Sequence, residues 1–231
     1  MKQTKIVCTI SDQHCEQDFL RHLFFAGMNV VRMNTAHATP EGIRKIIRNT
    51  RAVTPHLALL IDTKGPEVRT TGVKEPIAYK TDEQVAISGH PDTETTHDHV
   101  CVSCTSFVND VKVGDDVLFD DGALAMKVVG KEGDTLTARV LNDGTLGAHK
   151  SVNVPGEHID LPALSDRDKR MIRLAIDQDI DFIAHSFVRS AKDVHAVQRI
   201  LDAYHSDIKI ISKIENQEGI DNIDEIIHII R

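Results

Sequence analysis

Residues 57–69 read LALLIDTKGPEVR, an apolar run that ends in Asp62 and Thr63 and passes at once into a charged loop holding Gly65 and Pro66. A short continuous apolar run bounded by turn residues fits a strand buried on both faces, as in a parallel sheet. The stretch upstream supports that reading. NVVRMN from Asn29 is a second strand, followed by TPEGIRKIIRNTRAV, in which Thr39 is a candidate N-cap, Pro40 takes the first helical position and Glu41 adds a first-turn acid. Ile43, Ile46 and Ile47 form the apolar stripe of that helix, with Gly42 weakening it slightly. Further back, TKIVCTI (4–10) is strand-like, and Phe19, Leu20, Leu23 and Phe24 recur at helical spacing before Gly27. Strand and helix alternate, which predicts parallel βαβ units.

Downstream the rhythm changes. From about Thr71 to Pro155 the chain consists of short β-type runs (QVAIS, HVCVS, DDVLFDD, LAMKVVG, TLTARVL, SVNVP) separated by Gly, Asp and Asn turns. This is an inserted all-β module. The α/β cycle resumes at Leu161: Ser165 caps a helix, DFIAHSF is a strand, SAKDVHAVQRILDAY a helix and IKIISKI a strand. A last helix is expected to carry Ile220, Ile223, Ile226, Ile227 and Ile230. Five α/β strands would complete an open doubly wound sheet but not a closed (β/α)₈ barrel, which needs eight.

With 231 residues, 41% hydrophobic, the chain can bury an ordinary core; aromatics are 4% and Trp is absent, so Ile, Val, Leu and Ala must fill it. Lys and Arg total 27 against 35 Asp and Glu, a formal charge of -8, and no basic run argues for nucleic-acid binding. No apolar run reaches the roughly 18 residues of a membrane span, and the N-terminus lacks the h-region of a signal peptide. Four cysteines are too sparse for a disulfide framework, so a reducing, cytoplasmic setting is expected. His90, His97, His99, Cys101 and Cys104 crowd together, but their order reverses that of common zinc sites, and HVCVS alternates like a half-buried strand.

In parallel α/β folds the functional groups collect at the C-terminal ends of the strands. Here those ends read Arg32-Met33-Asn34, Asp62 to Arg69, His185-Ser186-Phe187 and Ser212 to Asn216. Cations (Arg32, Lys64, Arg69, Lys213) stand beside carboxylates (Asp62, Glu67, Glu215). Arg and Lys suit a phosphate and carboxylates a hard cation, so the pattern favours phosphoryl or enolate chemistry on a metal-chelated anion. Neither GxxxxGK[ST] nor GxGxxG occurs. Ser186 has no visible triad partners and reads as backbone-capping.

TKIVCTI, GMNVVRMN, LLIDTKGPEVRT, FDDGAL, VNVPG, DLPALSDRD, IAHSFVRSAKDV and IKIISKIENQEGIDN together resemble, in order and spacing, the N-terminal half of pyruvate kinase. The resemblance implies an incomplete (β/α)₈ barrel with an inserted small β-barrel lid: residues 1–70 and 158–231 as barrel segments and 71–157 as the lid, which would close to exclude water. It implies transfer of a phosphoryl group from phosphoenolpyruvate to ADP, giving pyruvate and ATP, with Mg²⁺ (or Mn²⁺) and K⁺ as cofactors and a homotetramer as the full-length assembly. Lys213 would stabilise the transferring phosphoryl group, Glu215 would bind Mg²⁺, and Arg32 would bind the substrate phosphate. Asn34, Asp62 and Thr63 would hold K⁺, while Asn34, His37 and Arg69 would approach the nucleotide.

Two departures from the family stand out. Ala36 lacks the hydroxyl the family usually places in the K⁺ site, so the Thr35 hydroxyl or a water is the alternative, although Glu67 resembles the K⁺-dependent members. The family's second metal-binding Asp and a Thr near the protonation site would fall beyond Arg231, so low or no activity is expected of these residues alone. The rival readings are a catalytically dead fragment or interaction module, and a Mg²⁺-dependent phosphoenolpyruvate/pyruvate aldolase or lyase. A lid and DTKGPEVRT argue against the second.

Overall fold

The computed structural model describes residues 4–36 and 38–229. They form two compact units, one from Met1–Pro66 and Ala163–Arg231 and the other from Glu67–Pro162. No helix among the described residues is long and apolar enough to cross a membrane.

The first unit runs β1 (Val7–Thr9), α1 (Gln17–Phe25), β2 (Val30–Asn34), α2 (Pro40–Val53) and β3 (Ala58–Asp62). The second contributes β4 (Val68–Thr71), β5 (Ile77–Tyr79), β6 (Gln84–Ser88), β7 (His99–Val102), α3 (Phe107–Asp110), β8 (Asp116–Phe119), β9 (Leu124–Glu132), β10 (Thr135–Val140), β11 (Gly144–Leu146) and β12 (Ser151–Asn153). The chain then returns to the first unit with α4 (Asp166–Asp177), β13 (Phe182–His185), α5 (Ala191–Ala203), β14 (Lys209–Ser212), α6 (Gln217–Asp221) and α7 (Ile223–Ile229).

In the first unit five strands, all parallel, lie in the order β1-β2-β3-β13-β14. Alternation sorts their side chains. Val31, Met33, Leu59, Ile61 and Ile183 share one core with Leu20 of α1, Ile43, Ile46 and Ile47 of α2, Ile172 and Ala175 of α4, and Val197 and Leu201 of α5. The intervening residues, among them Arg32, Asn34 and Asp62, take the opposite face. Among the described residues β1 and β14 each pair on one side only, and Val7 and Ile211 on them are 51% and 42% exposed. This is the five-strand arc expected of an incomplete (β/α)₈ barrel.

Helix starts follow their local chemistry. The Thr39 side chain accepts from Gly42 N, and Ser165 and Asp168 form a reciprocal capping box at α4. Gly42 has a packing reason: a Cβ there would lie 2.7 Å from a carboxylate oxygen of Asp12. Two expectations need correction. Phe19 is 42% exposed, because the α1 stripe is centred on buried Leu20, with Leu23 and Phe24 packed against the core. The last helix is two helices separated at Asn222, which leaves Ile220 and Ile227 at least half exposed and buries Ile226 against Val188 and Val194; Ile230 lies outside the described residues.

In the second unit β10-β6-β7-β4-β12-β8-β9 close into a barrel, and β5 and β11 make a separate antiparallel ribbon. Its interior is filled by Val85, Ile87, Val100, Phe119, Met126 and Leu136 among others. The six β-type runs read from sequence all become strands; β4, β5 and β11, of three or four residues each, were not expected.

Candidate active site

The site is built around Asp62, the last residue of β3, which is only 3% exposed. A buried carboxylate must be answered by charge and hydrogen bonds. Three residues from neighbouring strands supply them. Arg32 on β2 places Nε 2.7 Å from Asp62 Oδ2, with Nη2 on the same oxygen, and its Nη1 donates to Thr9 Oγ1 at 2.7 Å. Lys213, just after β14, reaches both carboxylate oxygens at 3.2 and 3.3 Å. Ser186, just after β13, sits with Oγ 2.9 Å from Asp62 Oδ1, 2.7 Å from the Thr63 carbonyl and 2.9 Å from Lys213 Nζ.

Glu215 stands next to Lys213. Its Oε1 lies 3.2 Å from Lys213 Nζ, and its Oε2 accepts from the Phe187 main-chain N–H at 3.0 Å. The side chain is about one-third exposed, so lone pairs stay open on a hard oxygen donor of the kind Mg²⁺ takes. Among the described residues no group of three or more His, Cys, Asp or Glu is placed to hold a metal ion. The zinc candidates are engaged separately: His90 with Asp134, His97 with Glu83 and the ring of Tyr79, and His99 with Ser88 Oγ.

The oxygens assigned to K⁺ are carried by adjacent strands, with Asn34 registered against Asp62. Asn34 Oδ1 accepts from Ala36 N at 2.9 Å and the Thr63 carbonyl from Ser186, so each already takes one hydrogen bond and keeps a lone pair. Thr35 is no substitute for the missing hydroxyl. It is wholly buried, and its Oγ1 donates to the Asp62 carbonyl at 2.8 Å. The loop is braced instead by Arg167 of α4, which donates to the carbonyls of Thr35 (2.8 Å) and Ala38 (2.7 Å). His37 lies outside the described residues. Arg69 belongs to the second unit, where it pairs with Glu67 and donates to the His149 carbonyl.

Beneath the site lies His185, the last residue of β13 and wholly buried. Its Nδ1 is 3.2 Å from Thr63 Oγ1, which itself accepts from Ser186 N. The imidazole Nε2 has no hydrogen-bond partner among the described residues. Burial pushes the imidazole below its ordinary value, against the opposing charges of Asp193 and Asp168. The sign follows. Below the unfolded value near 6.5 the unfolded chain takes up a proton that the folded chain refuses, so stability falls by up to about 1.4 kcal/mol per pH unit until the folded value is reached. The urea midpoint is expected to drop between pH 7.5 and 5.5, and His185→Gln to remove its share of that drop; an unchanged slope would contradict it.

Of the residues named from the sequence, the structure brings Arg32, Asp62, Thr63, Lys213 and Glu215 together through direct contacts or through Ser186. Sequence reasoning read Ser186 as a backbone cap, quoted His185 and Lys64 at their strand ends without giving His185 a role, and passed over Arg167; the Lys64 N–H is held by Asp168 Oδ1 at 3.0 Å. A cavity of about 720 Å³ opens at the other ends of the strands, near Ala58, Phe182 and Lys209, and contains none of the candidate residues.

Comparison with known proteins gives one answer. The family model "Pyruvate kinase, barrel domain" matches residues 1–230. A pyruvate kinase of Borreliella burgdorferi is 50% identical over 226 residues, covering 97% of this chain and 47% of that protein. Those of Staphylococcus epidermidis and Staphylococcus aureus are 39% and 38% identical over 235 residues, covering 99% of this chain and 40% of theirs. The chain spans about half the length or less of these curated relatives. Matched over nearly all of its residues, the chain belongs to the pyruvate kinase family.

Proposed function

We propose that these residues form part of the active site of a pyruvate kinase, which moves the phosphoryl group of phosphoenolpyruvate to ADP and yields pyruvate and ATP. The observation that carries the reading is the meeting of Arg32, Lys213 and Glu215 around Asp62 at the C-terminal ends of adjacent parallel strands. Arg32, anchored through Nε and Nη2 on Asp62 and through Nη1 on Thr9, presents the N–H groups left on Nη1 and Nη2 to the substrate phosphate. Lys213 opposes the charge that spreads over the phosphoryl oxygens during transfer. Asp62 anchors Arg32 through two N–H groups and balances the charge of Lys213, so that both cations are in place before the charge moves.

Mg²⁺ or Mn²⁺, held by Glu215, would supply further positive charge to the phosphoryl oxygens. K⁺ would sit among the oxygens of Asn34, Asp62 and Thr63. His37 and Arg69 are assigned to the nucleotide on family grounds, as are a glycolytic, cytoplasmic role, homotetrameric assembly and the division into 1–70, 71–157 and 158–231.

The test is pyruvate formation from phosphoenolpyruvate and ADP, followed with and without divalent ion, together with calorimetric titration of phosphoenolpyruvate. Binding that requires the divalent ion is expected; no binding and no pyruvate would overturn the reading. Because Ala36 withholds one ligand, K⁺ is expected to activate, but with a weaker response than a site with a full set of oxygens gives. A rate wholly indifferent to K⁺ would contradict the assignment of Asn34, Asp62 and Thr63.

A further inference from the structure

The two groups assigned to phosphoryl transfer, Lys213 and Glu215, are both held by one short segment from the neighbouring strand. We infer that His185-Ser186-Phe187 is a positioning device: the Ser186 hydroxyl fixes the direction of the Lys213 ammonium, and the Phe187 N–H fixes the Glu215 carboxylate. The inference rests on the pyruvate kinase reading of those two residues.

Lys213 hangs on a flexible four-carbon stem. Its contacts to Asp62, 3.2 and 3.3 Å, are shared almost evenly between two oxygens, and the contact to Glu215 is also 3.2 Å. Such contacts balance charge without selecting one direction. Ser186 Oγ, at 2.9 Å, is the nearest partner.

Ser186 itself has no freedom. It is 4% exposed, and its N–H donates to Thr63 Oγ1 at 3.2 Å. Its carbonyl is packed against Gly65 so closely that a Cβ at that glycine would lie 2.3 Å away. Its hydroxyl has one proton, which goes to the Thr63 carbonyl or to Asp62; toward Lys213 the oxygen can act only as acceptor. The lone pair that meets the ammonium is therefore fixed by the main chain of two strands.

The next residue extends the device. Phe187 has φ 54°, a left-handed conformation that a bulky residue rarely adopts, and this turn aims its N–H at Glu215 Oε2. Main-chain bonds close the unit: Lys213 N donates to the His185 carbonyl at 3.0 Å, and Val188 N donates to the Lys213 carbonyl at 3.1 Å. Ser186 thus acts through Lys213 and does not itself need to touch substrate.

The test uses the chain with Ser186→Ala and Ser186→Thr, and acetic anhydride as the probe. Peptide mapping by mass spectrometry reads the acetylation rate of each lysine. In Ser186→Ala, Lys213 is expected to react about fivefold faster while the other lysines keep their rates, since one hydrogen bond of ordinary net strength is lost. Ser186→Thr, which keeps the hydroxyl, is expected to stay near the parent rate. Where turnover is measurable, kcat of Ser186→Ala should fall about 10- to 100-fold with KM for phosphoenolpyruvate changed less than about threefold. A Lys213 rate unchanged in Ser186→Ala overturns the inference. So does a rise shared by all lysines, which would mean that the hydroxyl holds the fold and not the ammonium. If no form makes pyruvate, the kinase reading fails on its own, and the acetylation rates still decide the role of Ser186.

Discussion

In the full-length enzyme Lys213→Met is expected to lower kcat for phosphoryl transfer by about 10³-fold while weakening phosphoenolpyruvate binding by much less. Methionine keeps the length of the stem and removes the charge. In the ground state the substrate phosphate can still lean on Arg32, whose own anchor on Asp62 is untouched by the change. In the transition state the extra charge on the transferring group would lose the Lys213 ammonium, and that loss is expected in kcat. The fold should survive. Asp62 keeps Arg32 and Ser186 as partners, so the buried carboxylate is not stranded, and a stability loss of about 1–2 kcal/mol is expected for a pair whose lysine is 29% exposed. The checks are steady-state turnover, calorimetric binding and a urea midpoint. Turnover at the parent level would remove Lys213 from the mechanism.

Gly65→Ala is expected to cost about 3–4 kcal/mol in stability and to damage the site with it. Gly65 has φ +71°, which an L side chain adopts at a cost, and the space for a methyl group is already filled by main chain. Added Cβ would lie 2.3 Å from the Ser186 carbonyl oxygen and 2.8 Å from its carbon. A side chain could rotate away; a peptide group braced between β13 and β14 cannot. Denaturant titration reads the loss, and Ser186 would move as the contact is relieved. A Gly65→Ala chain with the parent midpoint would mean that the loop yields instead.

The parts of this structure that sequence makes visible are those written in local periodicity. Ile43, Ile46 and Ile47 at helical spacing gave α2, with Thr39 marking its start, and the apolar run from Leu57 marked β3 with Asp62 at its functional end. Arg32 and Lys213 stood out because a charge closes an otherwise apolar strand. Ser186 did not, since a hydroxyl after a strand has an ordinary local explanation in capping. Its partners Asp62 and Lys213 lie 124 and 27 residues away. Arg167 is hidden for the same reason: within DLPALSDRD it reads as a helix-start residue, yet the carbonyls it holds are 132 and 129 residues back. The break at Asn222 is similar, because the isoleucine spacing alone continues smoothly through it and only packing on Val188 and Val194 selects Ile226.

The site is spread over β2, β3, β13 and β14, which lie in that order across the sheet. Arg32 comes from the first of these strands and Lys213 from the end of the last, while Asp62, which both cations touch, stands on one of the inner two. A ligand held between Arg32 and Lys213 would therefore act as a clasp across strands that share no hydrogen bonds of their own. Its binding should slow amide hydrogen exchange across all four strands at once, so that occupancy of the site is recorded as a stiffening of the whole arc.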